Sequence, residues 1–232
     1  MNWFKVSENV AARVQARRGA LHFFADLDPT KTALVVVDLQ DGFMDERVGH
    51  AVCPMARDIV PNVNRLAIAV RASGGGVFWI KNTHDEKCLT EWSVMHAMST
   101  PEGRRKRSVS MSKGTEGHDL WLALMVEPQD ETIGKYRFSA FLPGASELPD
   151  RLRTHGFDTM LITGTVTIVC CESSARDAMM TNFKIIMVSD ANAAANMDEH
   201  QASLRAFYLA FGDVMDTDFV IARLQREVLE AA

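Results

Sequence analysis

The run Ala33-Leu34-Val35-Val36-Val37, closed by Asp38, is apolar on both faces of an extended chain, the pattern of a strand buried on both sides within a parallel sheet. From Arg57 to Ser73, Ile59, Val63, Leu66, Ala67 and Val70 recur at helical spacing; Gly74-Gly75-Gly76 then stops the helix and Val77 to Ile80 reads as the next strand. This is one βαβ unit. The second half restores the alternation. It reads as a strand near Glu131 to Ile133, a helix near Glu147 to His155, a strand at Thr159 to Thr163 and a helix from Cys170 to Asn182. A strand at Lys184 to Val188, a helix near Glu199 to Phe211 and a closing strand and helix through Val214 to Leu229 complete it. Parallel neighbours need crossover connections, so this order predicts an α/β fold: a three-layer α-β-α sandwich with a doubly wound, mostly parallel six-stranded sheet.

Two stretches depart from the alternation. Residues 1–26 carry Val6, Val10, Ala11, Val14 and Ala20 among Arg and Lys, which reads as an N-terminal arm with an amphipathic helix, ahead of a single domain over 27–232. Between Asn82 and Gly117 charged and turn-forming residues dominate, and the segment is expected to be an excursion over the active-site face. Its run Arg104-Arg105-Lys106-Arg107 can attract phosphate or nucleic acid, but four charges between Gly103 and Ser108 read more simply as a solvated loop.

Composition narrows the function classes. With 47% hydrophobic and 24% charged residues over 232 positions the chain is globular in character, and its formal charge of −5 gives no overall pull toward nucleic acid or anionic membrane. The longest strongly apolar runs are strand-sized, far below the roughly 20 residues of a membrane span, and the N-terminus lacks an apolar signal core, so the expected compartment is the cytoplasm. The four cysteines, Cys53, Cys88, Cys170 and Cys171, show no metal-ligand spacing and read as free thiols. No Walker-type or G-x-G-x-x-G loop implies a nucleotide.

In open parallel sheets ligands bind beyond the carboxyl ends of the strands, and three reactive side chains sit there. Asp38 ends the first strand, where an ionised carboxylate needs a donor or cation; its simpler reading is a helix cap. Lys135 follows Gly134 at the end of a short strand; taken alone it is a surface lysine. Cys170 falls at a strand-to-helix turn, where a helix N-terminus and a nearby lysine stabilise a thiolate, although buried cysteines are usually inert.

Three segments, Ala33 to Gln40, Lys135 with Arg137-Phe138-Ser139-Ala140-Phe141, and Gly164 to Ala178, resemble in content and order the signature segments of the isochorismatase-like cysteine hydrolases. The resemblance spans roughly residues 30 to 220 and implies that Asp38, Lys135 and Cys170 form a catalytic triad. It maps the family's non-proline cis peptide onto Thr165-Val166, which would aim the backbone N–H groups of Val166 and Cys170 at one point as an oxyanion hole. Cys171 then packs behind the helix. The implied reaction is hydrolysis of a small amide or ureide through a Cys170 thioester, without a cofactor, releasing ammonia or an amine.

Trp79 to Glu86 and Lys135 to Ser139 are most similar to the ureidoacrylate amidohydrolase branch, with N-carbamoylsarcosine amidohydrolases nearby. Asn82 suits a ureido group because its amide both donates and accepts. His84 stands in place of an aromatic and Tyr136 in place of a proline, which implies a shared scissile group with a different substrate. Further expected substrate contacts are Gln40, His84, an aromatic wall of Trp92, Phe138 and Phe141, and Arg137 as a partner for a carboxylate. The bland readings are core aromatics and a structural ion pair. The Asp and two His that hold a metal in nicotinamidases are not reproduced around His84, Asp85 and His96, so no metal is expected. The partners implied are the small molecule and water, with neither nucleic acid nor membrane, in a homodimer or homotetramer. Two alternatives remain: hydrolysis of a vinyl ether without a nucleophilic cysteine, and a non-catalytic binding protein on the same fold.

Overall fold

The computed structural model describes residues 3–230. Six strands form one sheet: β1 (Thr32–Val37), β2 (Gly76–Asn82), β3 (Glu131–Lys135), β4 (Thr159–Thr165), β5 (Lys184–Ala193) and β6 (Asp213–Met215). Their order across the sheet is β3-β2-β1-β4-β5-β6 and every neighbouring pair is parallel. The chain therefore winds outward from β1 in one direction, returns, and winds outward in the other, leaving a crevice at the carboxyl ends of β1 and β4 where the direction reverses.

Successive side chains of a strand point to opposite faces. On β1, Leu34 and Val36 join one apolar layer while Ala33, Val35 and Val37 join the other. The first layer is covered by α3 (Val60–Ala72) through Val63, Leu66 and Val70 and by α10 (Thr217–Glu230) through Val220 and Leu224. The second is covered by α7 (Leu148–Thr154), α8 (Glu172–Met180) and α9 (Met197–Ala210), which contribute Leu152, Ala178, Leu204 and Phe207. No helix among the described residues is long and apolar enough to cross a membrane.

Helix α1 (Glu8–Arg18) lies on its own chain: Val10 and Val14 are buried in the second layer, and Arg18 pairs with Asp213 at 3.3 Å. The segment after it is tied down by Phe24 N–H donating to Asp213 at 2.8 Å and Tyr208 O–H donating to the Leu21 carbonyl at 2.7 Å.

The largest departure from the sequence reading is the stretch from 82 to 117. After the short α2 (Asp41–Met44), three further helices build a cap there: α4 (Glu86–Glu91), α5 (Ser93–Ala97) and α6 (Pro101–Met111). The basic run Arg104–Arg107 is therefore helical rather than a loop, and only part of it is solvated. Arg105 and Lys106 are exposed, whereas Arg104 and Arg107 share the half-buried face with Ser108 and Met111, at the i, i+3, i+4, i+7 spacing of one helix side.

Candidate active site

Asp38 follows β1 directly, and its N–H still donates to the Ile80 carbonyl at 2.9 Å. Its φ of +56° is a left-handed conformation, uncommon outside glycine and tolerated by Asp, which turns the chain out of the strand at this point. Lys135 is the last residue of β3 and lies opposite Asn82 of β2 in the parallel register. Its carbonyl accepts from Thr83 N–H at 2.8 Å, which ties the two strand ends together. On β4, Gly164 has φ +113° and passes so close to β1 that a Cβ would collide with the Val37 carbonyl. The Thr165–Val166 peptide after it is cis, and the chain then enters a wide helical turn, Thr167–Cys171, that continues into α8.

These three strand ends converge. Lys135 Nζ lies 2.8 Å from an Asp38 carboxylate oxygen, with both side chains fully buried, and also donates to the Arg137 carbonyl at 3.1 Å. The Cys170 sulfur is close enough to interact with both Asp38 and Lys135. Burial pushes Asp38 above the usual carboxylate range, against the opposing pull of Lys135 and, more weakly, of Cys170 and the Asn82 backbone beside it. Burial alone would discharge Lys135, but Asp38 and Cys170 hold its ammonium above the ordinary lysine value.

The Cys170 thiol departs from the sequence expectation. Its helix begins at Thr167, so the sulfur sits inside the first turn rather than at the start of a helix. Burial drives its pKa up to about 12 despite the Lys135 ammonium. The resting sulfur is a protonated thiol, because dehydration of the anion outweighs one nearby cation and a helix terminus. An anionic sulfur here needs a group to take its proton, and Asp38, whose affinity for a proton is raised by burial, is the carboxylate beside it. Cys171 is fully buried behind the turn with its Sγ 3.9 Å from the Thr163 carbonyl.

Cys170 is 2% exposed and opens onto a cavity of about 200 Å³. Asn82, His84, Trp92, Phe138, Val166 and Cys170 line it, so these residues are brought together. Trp92 and Phe138 meet edge to face with centroids 4.7 Å apart. The structure does not bring in three of the expected contacts. Phe141 is in the second apolar layer, edge to face with Phe183 at 5.5 Å, because the 137–141 loop is pulled toward α8 by Ala140 N–H donating to Ser174. Gln40 is fully buried and spent on backbone, accepting from Asn82 N–H at 2.7 Å and donating to the His118 carbonyl at 2.9 Å, so it positions Asn82 instead of lining the cavity. Arg137 lies over Trp92 and pairs with Glu91 at 3.6 Å.

The cavity also holds residues the sequence did not point to: Phe43, His50, Cys88, Met95 and Arg107. One local signal was available, since Thr100-Pro101-Glu102 is a helix start with a capping hydroxyl, proline in the first turn and an early acid. Thr100 Oγ1 accepts from Gly103 N–H at 3.1 Å and begins α6, the helix that carries Arg107. A wider groove of about 630 Å³ beside β3 is not lined by Cys170, so the small cavity is where the sulfur opens, with the fully buried Asp38 and Lys135 behind it. Among the described residues no group of three or more His, Cys, Asp or Glu is arranged to hold a metal ion.

A sequence model of the isochorismatase domain matches residues 32–219. The chain belongs to the isochorismatase family. Among curated members, the ureidoacrylate amidohydrolase RutB of Methylobacterium radiotolerans is 31% identical over 205 residues, covering 82% of this chain and 78% of that protein. A probable inactive nicotinamidase of Arabidopsis thaliana is 32% identical over 176 residues, covering 75% of this chain and 86% of its own. A crystal structure of a cysteine hydrolase from Pseudomonas syringae pv. phaseolicola superposes with a TM-score of 0.78 at 27% identity, covering 87% of this chain and 95% of that one. The all-parallel six-stranded sheet flanked by helices is thus the isochorismatase fold, and within the family the chain resembles the ureidoacrylate amidohydrolase branch.

Proposed function

We propose that this isochorismatase-family protein is a cysteine-dependent amidohydrolase that cleaves a C–N bond of a small amide or ureide. The observation that carries the reading is the convergence of Asp38, Lys135 and Cys170 from three separate strand ends, with the sulfur opening onto a small cavity. The resemblance to a ureidoacrylate amidohydrolase supports the same substrate class.

Asp38 takes the thiol proton as the sulfur attacks the carbonyl carbon, and Lys135 keeps the carboxylate and sulfur charges compensated in a dry site. The carbonyl oxygen gains a negative charge that, in this reading, the backbone N–H groups of Val166 and Cys170 receive; that both residues line the cavity supports it. The C–N bond breaks, and the proton on Asp38 passes to the departing nitrogen. Water then gives a proton to Asp38 and its oxygen to the thioester. The C–S bond breaks, the proton returns to the sulfur, and a carboxylic acid, or a carbamic acid from a ureide, is released. Asn82 faces the cavity with an amide that can both donate to and accept from a ureido group.

The test is ammonia release from a panel of small primary amides and ureides by the wild-type protein and by Cys170→Ala. Turnover that disappears in the variant supports the reading. Full turnover by Cys170→Ala excludes the thioester and favours vinyl-ether hydrolysis, and no turnover of any member of the panel favours a binding protein.

A further inference from the structure

The cap helix α6 delivers to the Cys170 cavity a guanidinium with no acid to pair with. Arg107 lines the cavity, half-buried, and its Nη1 rests against the Met95 thioether, a weak acceptor. No ion pair among the described residues includes it. Arg18, Arg71 and Arg176, also partly buried, pair with Asp213, Asp130 and Glu172, and Arg104 on the same helix face donates to the His96 carbonyl at 3.1 Å, an oxygen acceptor that Arg107 is not given. The acids of the same excursion, Asp85, Glu86, Glu91, Glu102 and Glu116, are all exposed; Glu91 is engaged by Arg137 and Glu116 by Arg47. Removing a charge from water without a partner is costly, so the position is tolerated where a ligand supplies the acceptor.

The remaining lining agrees. Behind the lining Asp38 and Lys135 compensate each other, and in it the Cys170 thiol is neutral. His50 Nδ1 and His84 Nε2 are buried without a hydrogen-bond partner, and burial favours the uncharged form of both rings. The cavity therefore carries one uncompensated positive charge and polar ring atoms that await a ligand. A carboxylate meets these needs: it cancels the charge and offers two oxygens to a planar guanidinium. At about 200 Å³ the space is smaller than the roughly 300–1,000 Å³ of drug-sized pockets, which leaves room for a small organic acid.

We propose that Arg107 is the specificity-determining residue of this site and selects amide or ureide substrates that bear a carboxylate. The proposal rests on Cys170 being the reacting nucleophile. It also moves the carboxylate-binding role from Arg137, the cation favoured by the sequence, to Arg107, which the sequence placed in a solvated loop.

Iodoacetate and iodoacetamide differ only in carrying a carboxylate or an amide, and both alkylate thiols. The rate ratio of acid to amide at Cys170, mapped by peptide mass and normalised to the ratio for glutathione, reads the carboxylate preference and cancels effects on the thiol itself. The expected result is a normalised ratio at least about tenfold in favour of iodoacetate for the wild type, the size of one charge-assisted contact. It should fall to near unity in Arg107→Met and be partly kept in Arg107→Lys, which preserves charge and checks the fold. Equal ratios for the wild type and Arg107→Met overturn the proposal. If neither reagent labels Cys170, the nucleophile reading fails instead, and malonate titration followed by tryptophan fluorescence decides the anion site. Saturation by the wild type and none by Arg107→Met supports it, whereas no saturation by the wild type overturns it.

Discussion

At the scale of single residues, the chemistry depends on a compromise between burial and charge. In the proposed reaction a thiol with a pKa near 12 is inert until a base removes its proton, and the base proposed is a carboxylate that burial has made hungry for one. The sign of the pH dependence follows. The proposed mechanism requires ionised Asp38, and because its pKa is raised, the acid limb of kcat/KM should fall above the ordinary carboxylate value of about 4. A pH–rate profile whose acid limb lies at or below that value would contradict the assignment. Removing one member of the buried pair is expected to cost stability as well as activity: Lys135→Met leaves the Asp38 carboxylate uncompensated and should lower the unfolding free energy by about 3–5 kcal/mol in urea titration. That all three triad candidates were legible has a simple cause, since each ends a strand and the end of a strand is readable from where the apolar run stops. The protonation state of the sulfur was not legible, because it depends on how completely the site is dried by side chains from other parts of the chain.

At the scale of elements, legibility follows burial on both faces. Strands β1 and β4 are buried throughout, and their apolar runs stand out. The cap helices α4 to α6 expose most of their surface and bury only a narrow side, so their periodicity is weak and charged residues dominate the pattern. The same narrow side carries Arg107 into the cavity, which explains why a residue central to the site looked like part of a solvated run. Helix α1 tells the opposite story: its few apolar positions were readable, but the surface they pack on was not. Val14 is fully buried against the second layer. Val14→Asp should undock the helix and lower stability by at least about 2 kcal/mol, with turnover retained, because none of the arm's residues lines the Cys170 cavity. Unchanged urea denaturation of this variant would show that the arm is not part of the folded unit.

At the scale of the whole molecule, the sheet gathers groups that lie far apart in sequence into one small dry chamber, and its buried histidines tie stability to pH. His50, His118 and His200 are buried, or nearly so, and burial lowers the pKa of each to about 4. An unfolded histidine binds its proton near pH 6.5, so the unfolded chain takes up protons first as the medium is acidified. The contribution of these groups is fully present above pH 6.5 and is lost as the pH falls toward about 4, so the melting temperature should drop across that window. A melting temperature constant from pH 7 to 4 would rule out this coupling. The central claim is that Cys170 bonds covalently to the carbonyl carbon of its substrate, and the most direct measurement is rapid-quench mass spectrometry during turnover of an amide or ureide. The account predicts a transient mass increase equal to the acyl group, which peptide fragmentation places on Cys170 rather than Cys171. Turnover with no adduct on that peptide at any quench time would contradict it.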